Sequence, residues 1–341
     1  MKKVMSLLVV FALIFSFATV SVYAADEATV DSEAILVENG FSEDNIDALS
    51  ETVKEELVQA LEENPDAVDI KTTVLEIDNL AEVESFLSYT DQELIDMGAD
   101  PDAVIAARRE LEEESNKTEA QIAEAKNVSL AEAKYFKKAI DKGHSNYKNK
   151  SYKSKKSENP VTASGSISTT KLTYTQSVTN QSTSTQPKYK VNLAYTWKTV
   201  YDLAVFTDEI VAGWGGNLNT QSISSTSSYY DWGSSWGSFY KSQAMSKVET
   251  PNAGIEFKFP QALAYCNLWN NRPKTKTGSA TFTLYQTKKQ GYDTKVISVY
   301  CHRVISLSSA SIGFSKSGPS IGLSIGGAWD QSPQKATTIG Y

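Results

Sequence analysis

The nine residues Tyr189-Lys190-Val191-Asn192-Leu193-Ala194-Tyr195-Thr196-Trp197 place a large apolar side chain at every second position. Successive side chains of a strand point to opposite faces of the sheet, so a period of two predicts a strand with one face in a core. The same alternation recurs downstream. Ala280, Phe282 and Leu284 alternate with Thr281, Thr283 and Tyr285, and Ile321, Leu323 and Ile325 alternate with Gly322 and Ser324. Such runs, separated by Ser, Gly and Pro, favour a mostly antiparallel β-sandwich over residues 161–341 rather than a parallel sheet.

Upstream the period changes. Leu49, Val53, Leu57 and Leu61 recur every four residues, and Asn64-Pro65 stops the helix they predict. Val68, Ile70, Thr72 and Val74 then suggest one short strand. Thr90 with Glu93 has the spacing of a capping box, Gly98 suits a helix C-terminus, and Asp100-Pro101 opens a helix running to about Ser115. Ser129 with Glu132 caps another that is expected to end near Gly143. The fold class is therefore α+β: a small acidic helical N-terminal region over 25–143, a basic linker over 144–160, and the sandwich.

Charge follows the same division. Residues 25–115 hold 28 acids against 4 bases, whereas residues 161–341 hold 16 bases against 8 acids. The acidic faces read as solvated surface, since no D-x-D-x-D-G spacing supports a calcium loop. The Lys-rich stretch from Tyr147 to Lys156 reads as an exposed linker, or as a contact for an anionic polymer or a protease site. A further expectation is that the acidic segment folds back on the positive β half as a pro-region.

Lys2 and Lys3, an apolar run from Val4 to Val20, and Val22-Tyr23-Ala24 together read as a secretory signal peptide over 1–24. A membrane anchor is the alternative, although a run of 17 residues falls short of a comfortable span. A secreted, extracellular protein is expected. In that compartment a disulfide between Cys266 and Cys301 is expected, with two buried reduced thiols as the alternative.

Chemistry is narrow. Two His and two Cys exclude His-rich zinc sites and CxxC motifs, so no metal ligands and no cofactor are expected. His144 falls in the linker and His302 in the strand-like Val299-Tyr300-Cys301-His302-Arg303, where a histidine reads as a sheet residue and not as a catalytic base. Asp208 and Glu209 are adjacent, so in a strand they face opposite ways and form no acid pair by themselves. No catalytic residue is assigned, and the chain reads as a non-enzyme. The unusual segment is Gly213-Trp214-Gly215-Gly216 with Tyr229 to Tyr240. Trp214, Tyr229, Tyr230, Trp232 and Trp236 are the candidate ligand-binding residues, by stacking of rings on sugars; core packing is the competing reading. The Ser/Thr-rich run from Ala163 to Thr185 suggests an exposed edge strand or, in a rival reading, a hairpin that enters membranes.

Asn39-Gly40-Phe41-Ser42, Val53-Lys54-Glu55-Glu56-Leu57, Asn64-Pro65, Tyr195-Thr196-Trp197, Thr207-Asp208-Glu209-Ile210 with Trp214, Tyr300-Cys301-His302 and the Ser/Gly-rich strands from Ser308 to Gly327 carry a resemblance. On these the chain resembles a group of uncharacterised secreted proteins of Bacillus-type Gram-positive bacteria. That resemblance implies export and architecture, with no activity to transfer. The expected function is a secreted non-enzymatic binding protein at the cell surface or in the medium, with a glycan or cell-wall polymer as partner and no nucleic acid. The alternative is a pore-forming or membrane-active protein, and only this alternative has a membrane partner.

Overall fold

The computed structural model describes residues 32–126, 129–148, 169–198, 203–232, 236–263, 272–306, 310–317, 319–327 and 329–341. The signal-peptide and Cys266 readings, and residues 149–160 of the linker, lie outside the described residues.

The N-terminal helices begin and end where local chemistry dictates. After α1 (32–38) and α2 (Glu43–Ile46), Ser50 caps α3 (Glu51–Glu63) by accepting from the Val53 amide, and Asn64-Pro65 ends it. α4 (Asn79–Ser88) is followed by α5 (Asp91–Asp96), opened by the reciprocal Thr90–Glu93 capping box. Gly98 then turns the chain at a φ of +94°, and Asp100 accepts from the Ala103 amide at the start of α6 (Pro101–Ser115). After α7 (Glu119–Lys126), Ser129 and Glu132 exchange hydrogen bonds at the start of α8 (Leu130–Lys148). This last helix runs past Gly143, so the linker cannot begin at residue 144. A single glycine costs a helix only about 1 kcal/mol, and no proline follows before Pro160.

Two antiparallel sheets follow. The first has the order β1-β2-β3-β9-β5-β6, formed by Val68–Asp78, Thr169–Asn180, Lys188–Trp197, Lys274–Tyr285, Asn219–Trp232 and Trp236–Gln243. The second has the order β13-β10-β4-β8-β7, formed by Trp329–Gln331, Asp293–Arg303, Thr207–Trp214, Gly254–Pro260 and Ser246–Thr250; β14 (Lys335–Gly340) also pairs with β10. Their facing residues interdigitate. Tyr195 stacks on Phe259 at 5.0 Å and meets Tyr300 at 5.1 Å, while Trp197 stands edge-on to Tyr300 at 6.1 Å. Each such buried ring contributes roughly 1.5–3 kcal/mol of burial.

β1 joins the two halves of the sequence. It extends to Asp78 and pairs with β2 from Val68↔Thr179 to Asp78↔Thr169, so the acidic region supplies an edge strand of the sandwich. The Ser/Thr-rich stretch is correspondingly corrected: β2 lies between β1 and β3, and residues 172–179 are buried. Its Leu172, Tyr174 and Val178 enter the core between the sheets. On its other face Thr173 and Thr175 meet α2: Asn45 Nδ2 donates to Thr175 Oγ1 at 2.9 Å and to the Ala194 carbonyl at 3.3 Å. Asp44–Lys198 at 2.6 Å and Glu56–Lys190 add ion pairs across the same contact. The acidic segment thus folds back on the β half. α4 to α8 form a second apolar cluster that includes Leu203, Val205, Phe206 and Ile305 from sandwich loops.

β11 (Ser311–Ser317) and β12 (Ser320–Gly326) pair with each other alone among the described strands. Ile312, Phe314, Leu323 and Ile325 cover Val211, Val299 and Cys301 on the outer face of the second sheet. The Phe314 ring fits there because its seat is glycine. Gly213 and Gly254 are register partners, a Cβ on Gly213 would lie 3.1 Å from the ring, and a Cβ on Gly254 would overlap it. Gly254→Ala is therefore expected to destabilise the protein by about 1–3 kcal/mol in urea unfolding, and Phe314→Ala in the same chain to recover part of that loss.

Candidate functional site

The five ring residues singled out in the sequence do not form one site. Trp214 ends β4 inside the core, its Nε1 donating to the Leu218 carbonyl at 3.0 Å and its ring 5.7 Å from Phe282. Tyr229 is likewise buried; its hydroxyl donates to the Pro260 carbonyl at 2.9 Å, and burial pushes its pKa up to about 12. For these two, core packing replaces ligand binding, because inward positions of a sandwich demand large apolar side chains. Trp232 and Trp236 are register partners at the end where residues 233–235 join β5 to β6, and their side chains lie outside the described residues.

Tyr230 does reach the surface. It faces Phe239 across the β5–β6 ladder, the rings edge-on at 5.6 Å. Phe239 is 56% and Tyr240 43% exposed. A register shift between Tyr229 and Tyr230 leaves Tyr240 as an extra residue, which turns an additional ring outward on the edge strand. Two ammonium groups border the rings: Lys276 Nζ stands 4.9 Å from the Tyr230 ring centre, and Lys241 Nζ 5.8 Å from that of Tyr240. Burial, with the negative charge of Asp47, raises the Tyr230 phenol above its ordinary range.

A second constellation lies inside. Asp208 in β4 has no accessible surface and accepts from Tyr300 Oη at 2.6 Å, Gln261 Nε2 at 2.7 Å and the Arg303 amide at 3.0 Å. His302 Nδ1 is 3.1 Å from the same carboxylate, and its Nε2 is 3.6 Å from Glu82 Oε1 on α4. The Trp197 ring stands edge-on to the imidazole at 5.2 Å. Burial alone would lower the imidazole pKa; the charges of Asp208 and Glu82 outweigh it and hold His302 well above 6.5. For Glu82 burial wins over the attraction of His302, and its pKa is raised. Adjacent Glu209 points the other way, as strand geometry requires, and pairs with Lys258 at 3.0 Å.

Geometrically this is an imidazole held between two carboxylates, with a crevice of about 180 Å³ lined by Asp78, Glu82, Ser85, Ile305 and Asp330 beside it. The nitrogen that would take a proton from a nucleophile faces Glu82, and the ring has no solvent access. A larger cleft of about 420 Å³ is lined by Asp100, Asp102, Phe206, Ala262 and Arg272; Arg272 is engaged there by Glu110 at 3.2 Å and the Ala204 carbonyl at 2.7 Å. Cys301 alternates with His302 onto the outer face of the sheet. It is a free, buried thiol under the β11–β12 hairpin, and its expected partner, Cys266, lies outside the described residues. Among the described residues no group of three or more His, Cys, Asp or Glu is arranged to hold a metal ion.

No family model matches the chain, and no curated protein matches it. Its fold is similar to the solved structure named BspA_C_WT, at 6% identity and a TM-score of 0.28, over 50% of this chain and 59% of that one. The C-terminal domain of the Streptococcus pyogenes antigen I/II-family protein AspA follows, at 11% identity and a TM-score of 0.25, over 49% and 54%. AvmM, named for macrocyclization in alchivemycin A biosynthesis, is similar at 10% identity and a TM-score of 0.19, over 45% and 80%. The chain thus spans little more than half the length of the first two, and overlap this shallow carries no functional argument.

Asp208→Asn removes the charge on which four groups converge and leaves His302 facing an amide. It is expected to cost about 3 kcal/mol or more in urea unfolding, while Glu209→Gln, on the other face of the same strand, costs about 1 kcal/mol or less.

Proposed function

We propose that the protein is a secreted, non-enzymatic binding protein that takes a glycan or cell-wall polymer at the cell surface or in the medium. The observation that carries this reading is the strip formed by Tyr230, Phe239 and Tyr240 with Lys241 and Lys276 at the β5–β6 edge of the first sheet. Flat rings in contact with water stack on the apolar faces of sugars, and the two ammonium groups supply hydrogen-bond donors to their hydroxyl or anionic substituents. Export is supported by the basic start, apolar run and small-residue ending of the first 24 residues.

The membrane reading receives no comparable support from the segment first assigned to it. To leave the sandwich, β2 would have to break its ladders with β1 and β3 and withdraw Leu172, Tyr174 and Val178 from the core.

The mature chain is expected to co-sediment with purified cell wall or an insoluble polysaccharide. Replacing both Phe239 and Tyr240 with Ala should weaken that binding about tenfold, on the scale of ring contacts worth roughly 0.5–1.5 kcal/mol each. Both side chains are exposed, so unfolding should shift by about 0.5 kcal/mol or less. Retention of full affinity in the double variant refutes the strip as the site; absence of binding to all such polymers refutes the function.

A further inference from the structure

The contact between α4 and the end of the sandwich is built around a titratable ring. We propose that His302 is a pH-sensitive latch: as an imidazolium between Glu82 and Asp208 it holds α4 against β10 and β4, and its deprotonation as pH rises releases α4.

Groups from every neighbouring element bear on this ring. α4 contributes Glu82, β4 contributes Asp208, and β10 contributes Tyr300 and Arg303. β13 places Asp330 opposite His302 in register, and Asp78 at the end of β1 lines the same crevice. Asp208 is fixed by three donors besides the ring, so it cannot retreat. Glu82 sits at the crevice on a separate helix, with its side chain 11% exposed, and it can. Loss of the imidazolium leaves two carboxylates facing each other across a neutral ring in a site nearly without water. That is relieved most cheaply by moving α4.

The sign follows from the direction of both shifts. His302 is raised above 6.5, so the stabilisation it gives is complete below that value and is lost as pH rises through its folded pKa. Glu82 is raised above 4.5, so its contribution is likewise lost as pH rises. α4 is therefore docked most tightly in mild acid, and the docking equilibrium weakens up to about tenfold per pH unit for each proton released. α6 is anchored differently. Arg272 and Lys274, and not an imidazole, pair with Glu110 at 3.2 and 3.7 Å.

His144 is the only other histidine, so His144→Gln leaves one imidazole to follow by nuclear magnetic resonance. Its resonances are expected to begin titrating only well above pH 6.5, and hydrogen exchange in α4 should accelerate over the same range while α6 stays protected. His302→Gln should abolish that pH dependence. Should it fail to fold, Glu82→Gln tests the same point: without one of the two charges that raise the imidazole, the ring should titrate at lower pH than in the unsubstituted chain, and without the second carboxylate the loosening of α4 with rising pH should be lost. A ring titrating at or below about pH 6.5 overturns the latch. So does loss of protection in α4 and α6 at one common pH, or an α4 profile unchanged by either substitution.

Discussion

Asp208 is a carboxylate sealed inside the protein, and satisfying it organises one whole end of the fold. An unpaired charge there would cost several kcal/mol, so the chain must deliver donors to it. They arrive from β10 as Tyr300, His302 and the Arg303 amide, and from just past β8 as Gln261. Gln261 is tied further: the same Nε2 donates to the Arg303 carbonyl, and its Oε1 accepts from the Phe206 amide. The loop carrying Phe206 is thereby set, and with it the apolar surface on which α4 to α8 close, including Leu203 and Val205. Arg303 then reaches the Met97 carbonyl, and the Val205 carbonyl takes the Asp100 amide. One buried negative charge in the second sheet thus determines where the acidic helices sit.

Much of this architecture was legible in the sequence because it is local. The alternation from Tyr189 to Trp197 gave the inner face of β3 residue by residue, and the Thr90, Asp100 and Ser129 caps gave helix starts. What was not legible depends on partners distant in the chain. Val68–Val74 read as a short strand, but its extension to Asp78 exists because β2 offers eleven residues of ladder. The hydroxyl-rich face of β2 looked solvent-exposed; it is covered by α2, whose Asn45 amide donates to the Thr175 hydroxyl. Cys301 looked like half of a bridge, yet its strand direction turns it under the β11–β12 hairpin, where burial pushes the thiol up.

The site was read less well than the fold, and the reason is again geometric. Tyr229 and Tyr230 are neighbours of identical chemistry, and only the pleat of β5 sends one to the core and the other to the surface. Phe239 and Tyr240 lie inside the aromatic segment but outside the five candidate rings; what sets them at the surface is their place on an edge strand with no sheet partner beyond it. Asp208 and His302 share no signal in the sequence, since nothing there brings residues 94 apart to 3.1 Å. Glu82 was hidden among the 28 acids of residues 25–115. Its distinction is burial, and burial comes only from the packing of α4.

The surface strip and the buried network are joined by a short run of direct contacts. Tyr230 follows Tyr229, whose hydroxyl is spent on the Pro260 carbonyl; Gln261 comes next in the chain and holds Asp208. Tyr195 sits against the same run, bonded to Ser227 and Thr275 at 2.8 and 2.6 Å and stacked on Phe259. A set of rigid, fully engaged side chains suits a recognition strip, because exposed rings lose the least entropy on binding when the strand beneath them is already fixed. It also separates two roles along β5. Tyr229 faces inward and fixes the strand, and Tyr230 faces outward with Phe239 and Tyr240 to meet a ligand, so one strand both belongs to the core and presents the surface.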